Sequence, residues 1–298
     1  MVILRRALLV VAAGAAVAAT LPAVARAASL HPNYVALGDS YTAGPLIPLF
    51  EQPYGCLKSS NNYPHFVAAK LGIELRDVSC SGAETDDMFE PQGVTPGPNP
   101  PQLDALDEGT TIVTLGIGGN DIGFSSIAQD CITIDPSKTP CQDTYVVDGR
   151  DEISRRIERT APKVARVLQA IHERAPNARV FVVDYLPIFP EHASPPCWPL
   201  LPISSGDLPY VRAKQKELNA MLATQAAAND ATFVDSYDAS IGHDACEPPG
   251  IRWVEPLVPA SPAAPIHPNL LGEKAYAAVV LDAIAGQNPG RLGLLPPL

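Results

Sequence analysis

The sequence predicts an α/β protein: a three-layer α/β/α sandwich around a mostly parallel central sheet. Three observations predict it. Short apolar runs rich in β-branched residues recur along the chain, several ending at glycine. Between them lie longer segments whose apolar residues repeat at steps of three and four. Strands that alternate with helices need crossover connections, and those connections cover both faces of a parallel sheet.

Tyr34 to Leu37, ending at Gly38, reads as a buried strand, and Thr111 to Leu115, ending at Gly116, reads the same. Arg179 to Asp184 is a third, with weaker candidates at Leu75 to Val78 and Thr232 to Val234. Tyr63 to Leu71 is a short helix. Ile153, Ile157, Ala161, Val164, Leu168 and Ile171 mark one helix face, which Pro162 makes either kinked or two helices. Val211 to Ala228 is a helix with Leu218 and Leu222 on its inner side. Leu271 to Ile284 is the last, expected over the sheet edge. Proline-rich stretches at 91–101, 187–202 and 248–268 read as surface loops rather than domain boundaries.

The 298 residues suffice for one large core. Residues 1–27 read as an export signal: Arg5 and Arg6, an uncharged apolar run from Leu8 to Ala19, then the small-x-small site Ala25-Arg26-Ala27. The run is short for a membrane anchor, and no later stretch is apolar enough to span a bilayer. A single domain is expected over 28–298, secreted and monomeric. The signal removes three arginines and no acid, taking the formal charge from −11 to −14. So acidic a chain repels nucleic acid and anionic headgroups, which points to neutral substrates or apolar recognition.

All six cysteines follow the signal, which in an exported protein favours three disulfides. Short loops close most easily, so the sequential pairing Cys56–Cys80, Cys131–Cys141 and Cys197–Cys246 is expected. There is no C-x-x-C and no H-E-x-x-H, so neither a metal nor any other cofactor is expected.

Four blocks could carry chemistry. Gly38-Asp39-Ser40 follows the first strand. Cys80-Ser81-Gly82-Ala83 follows the second, and Gly116-Ile117-Gly118-Gly119-Asn120-Asp121 the third. His267-Pro268-Asn269 precedes the last helix. Singly, each has a plain structural explanation: an N-cap, a turn glycine, a helix cap, a loop histidine. The third block is not a dinucleotide loop, because Asp121 stands where the third glycine would be. No G-x-S-x-G elbow is present either, which argues against the standard α/β-hydrolase lipase.

Taken in order, the blocks resemble the SGNH (GDSL) hydrolase superfamily, and within it the secreted actinobacterial esterases and lipases with three disulfides. The resemblance runs from about Tyr34 to the final helix: Tyr34 to Gly44, Ser59 to Pro64, Asp77 to Ala83, Gly116 to Gly123 and His267 to Gly272. It implies a flavodoxin-like fold and a serine carboxylic ester hydrolase acting through an acyl-enzyme. Ser40 would be the nucleophile and His267 the general base. The backbone N–H groups of Ser40 and Gly82 and the Asn120 amide would form the oxyanion hole.

The sequence departs from the family at one place. Many relatives carry an aspartate three residues before the histidine, where this chain has Ala264. A main-chain carbonyl near Ala264 or the carboxylate of Glu255 would then orient His267. Asp39 and Asp121 are expected to hold their loops by hydrogen bonds, and His243 and Asp244 to lie at the surface. By analogy the substrate is a small-molecule or lipid ester, with Leu46, Ile47, Leu49, Phe50, Phe89 and Phe124 as apolar residues near the rim. Phospholipase, carbohydrate deacetylase and a catalytically silent lipid- or glycan-binding protein on the same fold are the competing readings.

Overall fold

The computed structural model describes residues 33–191 and 198–286. The proposed signal at 1–27 lies outside them, as does Cys197 with its expected bond to Cys246. Among the described residues, five strands form one parallel sheet: β1 Asn33–Gly38, β2 Glu74–Asp77, β3 Thr110–Gly116, β4 Arg179–Val183 and β5 Thr232–Val234. Their spatial order is β2-β1-β3-β4-β5. That is the flavodoxin-like order, in which successive connections leave in opposite directions from β1 and β3, opening a crevice beyond their carboxyl ends. Register pairs Gly38 with Gly116, so the segments that follow both strands enter that crevice side by side.

Among the described residues, eight helices accompany the sheet: α1 Ser40–Ala43, α2 Tyr63–Leu71, α3 Phe124–Asp130, α4 Pro140–Tyr145, α5 Glu152–Arg174, α6 Leu208–Ala228, α7 Ser236–Ala239 and α8 Leu270–Ile284. The pairs α2–α8 and α5–α6 supply the flanking layers. Leu218 and Leu222 of α6 are buried, as their spacing requires. α8 lies against α2 and reaches β4 and the edge strand β5. α5 is one continuous helix with Pro162 inside it. Pro162 removes one N–H from the ladder, but Ile153, Ile157, Val164, Leu168 and Ile171 stay buried along one face and hold both halves to the core. Val146–Val147 pairs antiparallel with Arg150–Asp151 in a small separate ribbon that the sequence did not announce.

Two of the expected disulfides are formed. Cys56–Cys80 joins the loop after α1 to the segment after β2, and Cys131–Cys141 joins α3 to α4.

Candidate active site

Ser40 opens α1 directly after β1. Asp39 is its N-cap, accepting the Tyr41 N–H at 2.9 Å, while the Asp39 N–H donates to the Gly116 carbonyl at 2.9 Å. Glycine is required at 38. A Cβ there would lie 2.2 Å from Thr42 Oγ1 and 2.8 Å from the Gly116 carbonyl oxygen, so any side chain would push the Ser40 turn off β3.

The Ser40 hydroxyl lies 2.8 Å from His267 Nε2. On the other side of the ring, Nδ1 lies 2.7 Å from the Pro265 carbonyl oxygen. A carbonyl can only accept, so Nδ1 carries the proton in the neutral ring. Nε2 is then bare, and Ser40 donates to it. Burial pushes the imidazole below the ordinary histidine value, while the Pro265 carbonyl opposes that by stabilising the charged form.

The carbonyl that orients His267 is therefore Pro265's, one residue on from the Ala264 position. Glu255, the rival, does not touch the ring. Its carboxylate takes Arg252 at 2.9 Å, Asn269 Nδ2 at 2.7 Å and the Ala260 N–H at 2.8 Å. Burial alone would raise this carboxyl, but those hydrogen bonds and the guanidinium outweigh it and hold it low. Glu255 acts on the histidine loop through backbone instead: its N–H donates to the His267 carbonyl at 3.0 Å, and its carbonyl accepts the Ile266 N–H at 3.0 Å. Ile266 sits at φ 61°, a left-handed conformation that a β-branched residue rarely adopts. Tyr41 Oη donates to the Ile266 carbonyl at 2.7 Å, so α1 helps hold this strained residue.

The remaining two blocks meet nearby. Asn120 Nδ2 donates to the Ala83 carbonyl at 2.9 Å, which uses one of its two N–H bonds and leaves the other for a ligand. Asp121 accepts the Thr85 N–H at 3.0 Å and the Thr85 hydroxyl at 2.5 Å, so both segments are cross-tied, as expected of that residue. Gly82 sits at φ 81°, in the region that favours glycine. Among the described residues, no protein acceptor takes the N–H of Ser40 or of Gly82. Asn120 lines the same cleft as Ser40 and His267, whereas Gly82 does not line it and is tied to Asn120 only through its neighbour Ala83.

The cleft opens at this point, lined among others by Ser40, Asn120, His267, Phe124 and Leu218. Of the six apolar residues expected at the rim, Phe124 alone lines it. Ile47 is buried, Phe89 packs against the core, and Leu46, Leu49 and Phe50 are exposed. His243 stacks on Trp253 at 3.7 Å, while Asp244, expected at the surface, is buried and accepts the Cys246 N–H at 2.9 Å.

Tyr185 was not singled out from sequence, yet it joins the two halves of the site. Its hydroxyl donates to Asp39 Oδ2 at 2.5 Å and accepts the Gly119 N–H at 2.8 Å. Burial raises the Asp39 carboxyl to about 7, against the lowering effect of the Tyr185 and Tyr41 hydrogen bonds. A signal did exist: Tyr185 follows β4 as Ser40 follows β1, at the carboxyl end where such sheets bind ligands.

Residues 36–275 match the GDSL-like lipase/acylhydrolase family. The chain belongs to that family. It is 42% identical over 260 residues to Lipase 2 of Streptomyces coelicolor, covering 85% of each chain. Among solved structures it is similar to the extracellular lipase of Streptomyces rimosus, with a TM-score of 0.71 and 26% identity over 85% of this chain and 99% of that one. It shares the fold of phospholipase A1 from Streptomyces albidoflavus, with a TM-score of 0.70 and 24% identity over 84% of this chain and 98% of that one. The chain is thus a carboxylic ester hydrolase of the GDSL type, with an ester as its substrate. Among the described residues no helix is long and apolar enough to cross a membrane.

Proposed function

We propose that Ser40 and His267 form the catalytic dyad of a secreted, monomeric esterase or lipase acting on uncharged acyl esters, with Pro265's carbonyl in the place of the missing acid. The observation that carries this reading is the line of contacts from Pro265 O through the imidazole to Ser40 Oγ, 2.7 and 2.8 Å long. His267 Nε2 takes the hydroxyl proton as Ser40 Oγ attacks the ester carbonyl. The oxyanion of the tetrahedral intermediate receives the Ser40 and Gly82 N–H groups and the second N–H of Asn120. His267 then protonates the leaving alcohol. Water attacks the acyl-enzyme by the same route in reverse, releasing the acid.

Secretion is supported by the leader at residues 1–27, by the disulfides and by likeness to an extracellular lipase. One hydrolase domain would make up the mature chain from residue 28. Its formal charge of −14, the −11 of the full chain less the leader's three arginines, disfavours nucleic acid and anionic surfaces as partners. Phospholipids and acetylated sugars call on the same relay, so a panel of triglyceride, phospholipid and acetylated-sugar substrates sorts among them.

The test is labelling with a fluorophosphonate followed by peptide mapping, alongside hydrolysis of short p-nitrophenyl esters by Ser40→Ala. The adduct is expected on Ser40, and the variant should fold and lose turnover. Equal activity in the variant, or an adduct elsewhere, overturns the assignment.

A further inference from the structure

Five large apolar side chains on the loop between α1 and α2 belong neither to the core nor to the cleft. Leu46, Leu49, Phe50, Tyr54 and Leu57 are all exposed, Leu49 by 71%. The loop is not free to fold them away. The Ser59 N–H donates to the Ala43 carbonyl at 2.8 Å, the Ser60 N–H to the Leu49 carbonyl at 2.8 Å and the Glu51 N–H to the Lys58 carbonyl at 2.9 Å, while Cys56 is bonded to Cys80. Leu46 and Leu57 also sit at φ 64° and 54°, where asparagine or glycine is easier than leucine. Neither backbone conformation nor packing therefore accounts for leucine at these two positions, and water does not favour it either.

The loop borders the reacting groups on two sides. The Pro45 carbonyl accepts the Ala264 N–H of the histidine loop at 2.9 Å, and the Cys56 carbonyl accepts the Ser81 N–H, next to Gly82, at 3.0 Å. The histidine loop carries an exposed apolar side chain of its own, Val258, open by 77%. Charge is nearly absent from both loops. Residues 256–266 hold no charged side chain, and 44–57 hold Glu51 alone. Glu51 faces His65 at 3.2 Å and Lys58 at 3.9 Å. Lys58 is itself buried and donates to the Asp77 carbonyl. An apolar surface of this kind, on a chain as acidic as this one, fits an uncharged lipid. It offers no exposed cation to a phosphate headgroup, and the chain's net charge repels an anionic surface.

We propose that the loop at 45–57, with Val258 beside it, docks the enzyme on the surface of a triglyceride aggregate and so sets the Ser40 cleft against the lipid. The inference rests on the reading of the site as one for uncharged acyl esters, and it adds the surface by which an insoluble ester is reached. Docking here needs no loop movement, since the apolar side chains already face water on a backbone fixed by hydrogen bonds and a disulfide. Leu49 and Phe50 should each contribute about tenfold to the partition onto lipid.

The test is flotation of the mature protein with a trioleoylglycerol emulsion, together with hydrolysis of that emulsion and of dissolved p-nitrophenyl acetate. Wild type should float with the emulsion, equally in 0.05 and 1 M salt. Leu49→Ser/Phe50→Ser should weaken binding and emulsion hydrolysis at least tenfold and leave acetate kcat/KM within twofold. Both side chains are exposed, and the unchanged acetate rate reports an intact fold. Wild type that stays in the aqueous phase, or a double variant that binds as wild type does, overturns the proposal. So does tighter binding to phosphatidylcholine vesicles than to triglyceride, or a wild-type dimer in sedimentation that the double substitution dissociates. Flotation of Ser40→Ala requires no turnover. Docking by that variant beside a wild type that hydrolyses no ester would strike the dyad and leave the docking surface standing.

Discussion

Tyr185→Phe removes one oxygen from a position where the neighbouring groups have no alternative partner. Tyr185 is 6% exposed, and its hydroxyl serves both Asp39 and the Gly119 N–H. Without it the buried Gly119 N–H is unpaired, a cost of about 1–3 kcal/mol, and an ionised Asp39 loses a charge-assisted hydrogen bond worth about 1.5–3 kcal/mol. The two together give about 2.5–6 kcal/mol when Asp39 is charged. When Asp39 is protonated the second contribution falls to that of a neutral hydrogen bond, about 0.5–1.5 kcal/mol. The penalty should thus grow by about 1 kcal/mol from low to high pH. The sign follows from linkage. The folded-state value of Asp39, about 7, lies above its ordinary 3.8. The folded state therefore binds more protons between those values, and stability falls as pH rises through them. Tyr185 lowers the Asp39 carboxyl, so its removal moves the upper end of that window above 7, and the variant keeps losing stability where wild type has levelled. Urea unfolding at pH 5, 6, 7, 8 and 9 reads this out. Curves that run parallel, or a penalty below about 0.5 kcal/mol at every pH, would refute the reasoning.

Three further outcomes follow from the same geometry. Asn120→Ala should lower kcat by about 10²–10³ with KM little changed, since its free N–H is used mainly in the transition state; a loss confined to KM would place the amide in ground-state binding instead. The acid limb of kcat/KM should fall below pH 6.5, because burial lowers His267 and the base must be neutral. A limb centred above 6.5 that persists in Asp39→Asn would remove His267 from that role, whereas one that Asp39→Asn abolishes belongs to Asp39. Glu255→Gln should leave turnover of the folded enzyme nearly intact but destabilise it by about 3–5 kcal/mol in urea, because Arg252, 3% exposed on its side chain, loses its countercharge; a large fall in kcat at unchanged stability would return Glu255 to the catalytic line.

Much of this fold was legible because its elements carry strong local signals. Buried parallel strands read as unbroken apolar runs, and β1 and β3 end at the glycines their packing demands. Ser40 and His267 were visible because each stands in a block with recognisable neighbours. Pro162 shows the limit of local reading. Its ring speaks for a break, and only the burial of the apolar face on both sides of it keeps the helix whole. Pro265's role has no side-chain signature, since any residue supplies a carbonyl, and which one faces Nδ1 depends on the turn at Ile266. Tyr185 is some 146 residues from Asp39, and Gln215 and Leu218 reach the cleft from α6. Such partners become neighbours only through the sheet order.

The missing acid before His267 is best understood by separating what a triad carboxylate does. It fixes the tautomer, holds the ring in place and offsets the charge of the imidazolium. Pro265's carbonyl performs the first task outright, because it can only accept. The second is met by the loop itself: Asn269 caps α8 and binds Glu255, Glu255 is locked by Arg252, and its backbone pairs with Ile266 and His267 on one side while Tyr41 holds Ile266 on the other. A ring held by so many fixed bonds gains little orientation from one more. Only the third task is left short, since a dipole stabilises a cation less than a full charge does. The lowered His267 value has a different cause: burial disfavours the charged ring, and the Pro265 carbonyl offsets only part of that, so the neutral ring is favoured.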